Sequence, residues 1–118
     1  MGGGGYRLSG IRVLVTAVGG GGLGEQLIKA LRLSNLSYTI IGADVSVHSK
    51  GLMEVDLPVL LPLARDEKYV PALLALCEEH GVQVLLAGSE AEIVVLDRQR
   101  AEISSRGIFM PIQSSQVL

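Results

Sequence analysis

The sequence predicts an α/β fold: a doubly wound, mostly parallel five-stranded sheet with helices on both faces. Three observations predict it. Apolar runs typical of buried strands alternate with segments of helical periodicity along the chain. A glycine-rich turn at residues 19–24 joins the first run to the first helical segment. Repeated strand–helix order also favours right-handed crossovers, which place the strands parallel and the helices on both sides of the sheet.

Composition narrows the classes of protein to which the chain can belong. Its 118 residues suffice for one domain, and 48% hydrophobic with 19% charged residues is a globular rather than a disordered balance. A net charge of −2 and only 3% aromatic residues argue against a nucleic-acid partner. The apolar runs are far shorter than a membrane span, and the single cysteine, Cys77, excludes an intrachain disulfide. We therefore expect a cytoplasmic domain with no membrane partner.

The first half of the chain contains two predicted strands and one predicted helix. Residues 1–10, which are rich in glycine, are expected to form a flexible lead-in outside the fold. Residues 11–18 are apolar on both faces, as in a strand covered on both sides. Leucines and isoleucine recur at helical spacing over residues 23–31, and residues 38–43 form the second strand, with Asp44 at its carboxyl end.

The second half continues the alternation. Two prolines frame a short third strand at residues 59–61. Asp66 is expected to be the N-cap of the next helix, which runs to Gly81, a residue suited to the left-handed conformation that ends helices. Residues 82–87 are the predicted fourth strand.

A capping box opens the last predicted helix. Ser89 can accept a hydrogen bond from the backbone N–H of Glu92, while the Glu92 side chain reaches back. Apolar residues continue one face of this helix until Gly107 closes it. Residues 108–110 are then the fifth, short strand before Pro111.

The glycine-rich turn is the first candidate binding site. Its glycines, which contain a G-x-G-x-x-G pattern, are Gly19, Gly20, Gly21, Gly22 and Gly24. In dinucleotide-binding folds this pattern brings a pyrophosphate against the backbone, and an acid about twenty positions later, here Asp44, accepts hydrogen bonds from a ribose. Two interpretations stay open. Either the turn holds an anion or a nucleotide such as NAD(P), or its glycines only allow close strand–helix packing while Asp44 caps the next segment or stays solvated.

A second polar turn, Gly88-Ser89-Glu90, ends the fourth predicted strand. Ligands in open α/β sheets bind outside the carboxyl ends of the strands, near the point where the strand order reverses. If the first and fourth strands are neighbours, this turn faces the glycines; Ser89 is then a helix cap or a ligand-binding hydroxyl, and Glu90 is free for a polar or cationic group. No catalytic residue is predicted, because the sequence contains no nucleophile elbow, no P-loop and no Tyr-x-x-x-Lys pair. No metal ligand is predicted either, because neither His48 nor His80 has partners at metal-ligand spacing.

Four segments, in order, resemble the start of carbamoyl-phosphate-synthase-like ATP-grasp proteins. They are residues 11–46 (IRVLVTAVGGGGLGEQLIKALRLSNLSYTIIGADVS), 50–56 (KGLMEVD), 62–69 (PLARDEKY) and 84–92 (VLLAGSEAE). The resemblance extends over roughly residues 11–118. It identifies the chain as similar to the amino-terminal, Rossmann-like pre-ATP-grasp domain of such a protein.

The resemblance implies a division of labour between two domains. The pre-ATP-grasp domain, here residues 11–112, packs beside an ATP-grasp domain and helps to form the acceptor-substrate side of the active site. The ATP-grasp domain holds ATP and magnesium ions, forms an acyl-phosphate and joins it to an amine or similar nucleophile. The implied partners are a small-molecule substrate and a carboxyl-terminal ATP-grasp domain of the same parent chain, reached by a linker that starts at residues 113–118. By this resemblance the fragment is not catalytic alone and binds no cofactor itself; a homodimer stays open.

Overall fold

The structure of the protein, a computed structural model, describes residues 10–19, 22–46, 52 and 55–111. Strands and helices follow one another largely as the sequence predicts, except that no helix is described between the second and third strands and that two helices follow the fourth strand. In chain order they are β1 Ile11–Val15, α1 Leu23–Leu33, β2 Tyr38–Asp44, β3 Leu57–Leu60, α2 Tyr69–His80, β4 Val84–Leu86, α3 Glu90–Arg98 and α4 Arg100–Ser105. None of these helices is long and apolar enough to cross a membrane.

The strands form one parallel sheet in the order β3-β2-β1-β4. From β1 the chain steps to β2 and β3 on one side and then returns to place β4 on the other side of β1. The strand order therefore reverses between β1 and β4, which is where open α/β sheets bind ligands. The α/β, Rossmann-like fold class is confirmed, and the first and fourth strands are neighbours, which is the condition under which the two polar turns face each other.

The prediction of a fifth strand at residues 108–110 is wrong in extent. Only Phe109 pairs with β4, through a single parallel bridge to Val84. The Leu85 N–H donates to the Phe109 carbonyl (2.9 Å), and the Phe109 N–H donates to the Gln83 carbonyl (2.8 Å). The next backbone N–H that could face β4 would belong to residue 111. This residue is a proline, which has no N–H to continue the ladder. The described sheet therefore has four strands and one bridge.

Two apolar clusters lie on opposite faces of the sheet. Helices α2, α3 and α4 cover the face to which Leu14, Ile41 and Leu85 point, and this cluster also contains Ile108. Helix α1 covers the other face, where Val13 and Ile40 pack with its own Ile28. Helices on both faces, as predicted, explain why consecutive residues of the central strands, 13–15 and 40–43, are buried rather than alternate ones only.

Helix α2 begins two residues later than predicted. Lys68, not Asp66, is its N-cap, while the Asp66 carboxylate accepts from the Lys68 N–H (2.8 Å) in the preceding turn. Pro71 explains the shift. It is the third residue of the observed helix, where no N–H is needed, whereas a helix capped by Asp66 would place it in the interior and lose a backbone hydrogen bond.

The last predicted helix is divided in two. Gln99 separates α3 from α4, and its N–H bonds the Leu96 carbonyl (3.0 Å), one residue closer than in an α-helix. The predicted apolar face survives the break, because Leu96 and Ile103 are both almost fully buried in the same cluster. Gly107 follows with a φ of 80°, which confirms its place as the residue that ends this segment.

Candidate functional site

The two polar turns meet in an open cleft at the carboxyl edge of the sheet. Gly19 and Gly22 line it from the first turn, Gly88 and Ser89 from the second, and Asp44 from the end of β2, around a volume of about 360 Å³. The structure thus brings together five of the residues that the sequence predicts for a site.

The other predicted site residues either lie away from the cleft or fall outside the described residues. Gly24 is buried beneath the cleft, in the first turn of α1. Glu90, the first residue of α3, is exposed, and it does not line the cleft. Gly20 and Gly21 lie outside the described residues, as does His48 of the loop after Asp44.

Gly24 and Gly88 form a backbone-to-backbone contact under the cleft. The Gly24 N–H donates to the Gly88 carbonyl (3.3 Å). A Cβ on Gly88 would lie against the carbonyl oxygen of Thr16 and only 2.8 Å from the Cα of Gly24. A Cβ on Gly24 would lie 2.6 Å from the same Thr16 oxygen. Both glycines are therefore required for the close approach of β1, β4 and α1, as the packing interpretation of the turn expects.

The chain enters the first turn through a strained residue that the sequence did not single out. Ala17 has a φ of 52°, which lies in the left-handed region of backbone conformation. Residues other than glycine and asparagine seldom adopt this conformation. It directly follows Thr16, whose carbonyl oxygen would meet a Cβ on either glycine, and it lines the cleft. The only sequence signal for it is its position between the strand and the glycines.

Asp44 holds the glycine turn in place. One carboxylate oxygen accepts from the backbone N–H of Gly19 (2.8 Å), and the other accepts from that of Val45 (2.7 Å). The side chain is half-buried at the end of β2, beside the cleft. The Asp44 carboxylate thus makes the hydrogen bonds of a cap, to the amide that follows it and to one across the turn.

A second, smaller cleft of about 180 Å³ adjoins the first. It shares Ala17, Asp44 and Ser89 with the first cleft and extends along the carboxyl ends of β2 and β3. Its further walls are mainly apolar and include Ala43, Leu61, Pro62, Leu63, Ala64 and Ala91. The carboxyl edge of the sheet thus carries a continuous trough, polar at the glycine turn and apolar beside β3.

Comparison with known proteins decides the family. A model of the family described as PylC-like, N-terminal domain, matches residues 13–111. The chain belongs to the PylC-like amino-terminal domain family. A search of curated proteins found none that matches this sequence. The family is the pre-ATP-grasp part of carbamoyl-phosphate-synthase-like ATP-grasp ligases, so the resemblance stated from the sequence is confirmed.

A buried polar network supports the cleft wall of this PylC-like domain. Ser89 accepts from the Glu92 N–H (3.3 Å) and its hydroxyl donates to Glu92 Oε1 (2.8 Å). Glu92 Oε2 accepts from the hydroxyl of Tyr69 (2.7 Å), which also hydrogen-bonds Thr16. The Thr16 hydroxyl in turn accepts from the Gly88 N–H (3.0 Å). The N-cap half of the predicted capping box is therefore confirmed, but the Glu92 carboxylate turns inward to hydroxyl groups.

Tyr69 is the member of this network that sequence reasoning missed. It is fully buried, and burial, together with the negative charge of Glu92, raises the pKa of its hydroxyl far above the usual value. The hydroxyl therefore stays a donor to Glu92 at every ordinary pH. The sequence signal was available, because Tyr69 stands one helical turn before Leu73 and two before Cys77, the buried face of α2.

The charges and donors of the cleft bear on which ligands it can take. Among the described residues that line the two clefts none is basic; Asp44 lines both clefts, and the carboxylate of Glu92 lines the smaller one. The N–H groups of Gly19, Gly24 and Gly88 already have acceptors within the protein. In the part of the chain that the structure describes, no three metal-ligating side chains come together.

Proposed function

We propose that this domain is the substrate-side wall of an ATP-grasp ligase, an ATP-dependent carboxylate–amine or carbamoyl-phosphate-synthase-like enzyme, and that it is not catalytic in isolation. The trough at the carboxyl edge receives the small-molecule substrate, with Gly19, Gly22 and Ser89 beside it. The observation that carries the proposal is the cleft between the two turns at the strand-order reversal, in a domain of the PylC-like family.

The assignment of ATP elsewhere is part of the proposal. A phosphate or magnesium site needs basic groups, free backbone amides or clustered carboxylates. The described residues of the two clefts offer two carboxylates: the oxygens of Asp44 accept from backbone amides, and those of Glu92 accept from the hydroxyls of Ser89 and Tyr69. ATP and magnesium ions therefore belong to an ATP-grasp domain that follows in the parent chain, with residues 113–118 as the start of the linker.

An NAD(P)-binding module of an oxidoreductase is the second candidate function, favoured by the glycine pattern and by Asp44 at the end of β2. Two contacts weigh against it. A pyrophosphate would have to compete with Asp44 for the Gly19 N–H and with the Gly88 carbonyl for the Gly24 N–H. A regulatory module that binds a small anion at the same turn meets the same competition, beside the negative charge of Asp44.

The decisive experiment compares the 118-residue chain with the parent chain extended through the region after residue 118. The extended chain should form ADP from ATP when supplied with a carboxylate and an amine substrate from a screened set, whereas the 118-residue chain should form none. A coding region without an ATP-grasp segment, or ADP formation by the short chain alone, contradicts the proposal.

A titration with NADH distinguishes the NAD(P)-binding module from the proposed ligase domain. Cofactor fluorescence should not change when the 118-residue chain is added at millimolar NADH, and Asp44→Asn should behave like the unmodified chain. Saturable binding that Asp44→Asn weakens would instead establish the dinucleotide site. Inorganic phosphate, followed by the backbone amide shifts of Gly19 and Gly22, tests the anion module in the same samples.

A further inference from the structure

Helix α1 has two flanks of different chemistry. One flank carries the charged residues Glu25, Lys29 and Arg32. The opposite flank carries no charge, and its residues are Leu23, Gln26, Leu27 and Ala30. Buried Gly24 and Ile28 lie between the two flanks, against the sheet.

Contacts establish which way each flank points. The Arg32 guanidinium donates to Asp56 (3.3 Å), and Asp56 is bonded to the backbone of Ile40 in β2. The charged flank therefore faces the β2 side of the sheet. The uncharged flank must face the other side, toward β4, and the hydrogen bond from Gly24 to Gly88 places the start of α1 beside the end of that strand.

Among the described helices, none covers the sheet beyond this flank. Helix α1 packs on β1 and β2. Val84 and Leu86 of β4 point to the same face and are only half-buried. Phe109 pairs with Val84, so its side chain lies on this face too, and 65% of it is exposed. We call the five apolar side chains Leu23, Leu27, Val84, Leu86 and Phe109 the open face.

We propose that the open face is the docking surface for the ATP-grasp domain that follows in the parent chain; the inference rests on the proposed function. The backbone at Phe109 pairs parallel with β4, and Pro111, the last described residue, lies two residues beyond the most exposed side chain of this surface. At its other end, Leu23 directly follows Gly22 of the cleft. A domain docked here begins next to its own tether and reaches the rim of the cleft.

The size of the open face favours a tethered partner over a second copy of the chain. Phe109 and Leu23, which is 41% exposed, are its only members with more than a third of their surface exposed. A stable complex between separate proteins buries about 800 Å² on each partner. A covalently linked domain experiences an effective concentration on the order of millimolar, so a smaller contact holds it.

Hydroxyl-radical footprinting of the parent chain and of the 118-residue chain tests the assignment by side-chain exposure. Phe109 is the only phenylalanine in the 118 residues, so its oxidation is read without ambiguity. Its oxidation rate should be roughly fivefold lower in the parent chain, because docking buries a side chain that is mostly exposed. Leu33, 85% exposed at the end of α1 and away from the open face, should oxidise equally in both chains.

A pair of variants of the parent chain adds a second measurement. Phe109→Asp should restore the oxidation of Leu23 and Leu27 to the rates of the 118-residue chain, because a charge desolvated in an apolar contact opposes docking. Leu33→Asp, an equal change of charge on the same domain, should leave both rates low. The wild-type comparison is informative even if Phe109→Asp fails to fold.

Each result supports or overturns the inference. Equal oxidation of Phe109 in the two chains, with ATP-dependent ligation intact in the parent chain, overturns the docking surface and leaves the proposed function standing. A parent chain without ATP-grasp activity overturns both. Protection of Phe109 that rises with the concentration of the 118-residue chain assigns the surface to a homodimer instead.

Discussion

Replacing Gly88 by alanine tests the backbone contact on which the cleft depends. The new methyl group would lie against the carbonyl oxygen of Thr16 and 2.8 Å from the Cα of Gly24, where carbon atoms prefer about 3.5–4.0 Å. Its neighbours are backbone atoms, so no side chain can rotate away. β4 or the start of α1 must move instead.

The cost follows from what that movement breaks. Overpacking of a filled interior costs about 1–3 kcal/mol. The bond from Gly24 to the Gly88 carbonyl, already 3.3 Å long, and the bond from Gly88 to Thr16 each contribute about 1 kcal/mol. We expect the free energy of unfolding to fall by about 3–5 kcal/mol, and the melting temperature by at least about 10 °C.

Gly22→Ala is the matched control, since a Cβ at Gly22 meets no atom within 4 Å. Urea denaturation followed by circular dichroism should give a change below about 1 kcal/mol for this variant, because it fills open space. If Gly88→Ala and Gly22→Ala unfold at the same urea concentration, the close approach of β1, β4 and α1 is not what makes Gly88 necessary.

Three further perturbations test the buried network and the core. Tyr69→Phe should lower the free energy of unfolding by about 1–3 kcal/mol, because buried Glu92 loses a donor; Tyr38→Phe, at a half-buried tyrosine, should cost less in the same urea titration. Ser89→Ala should cost about 1–2 kcal/mol by removing the cap of α3, and an unchanged urea midpoint would contradict that role. Burial raises the pKa of Cys77 from 9.0 to about 11, so the unfolded thiol ionises first and stability falls as the pH rises through 9 to 11. Cys77→Ala should show a smaller loss of stability between pH 8 and 10, and an identical pH profile would contradict the assignment.

Local patterns predicted most of the elements. Helical spacing in α1, the apolar run of β2 and the left-handed residue Gly81 all appear where the sequence places them. These features depend on residues close in the chain, which is why one sequence suffices to find them. The errors in α2 and in the fifth strand both arise at prolines, whose missing N–H removes one backbone bond at Pro71 and one at Pro111.

For the candidate site too, the sequence predicted what depends on nearby residues and missed what depends on distant ones. Sequence position alone put Gly19, Asp44 and Ser89 at the carboxyl ends of strands, and the sheet order brings them into one cleft. Tyr69 was missed because its role depends on Glu92, twenty-three residues away, and on a helix packing that no local pattern specifies.

By itself, then, the sequence determined the alternation of strands and helices, the two polar turns and the resemblance to a pre-ATP-grasp domain, because periodicity, glycine spacing and motif order are properties of the chain. The tertiary structure alone decided that Asp44 closes the turn, that Gly24 and Gly88 touch, and that no described helix covers β4 and Phe109 on the α1 face of the sheet. These depend on distances between residues far apart in the chain, which only the packed fold determines.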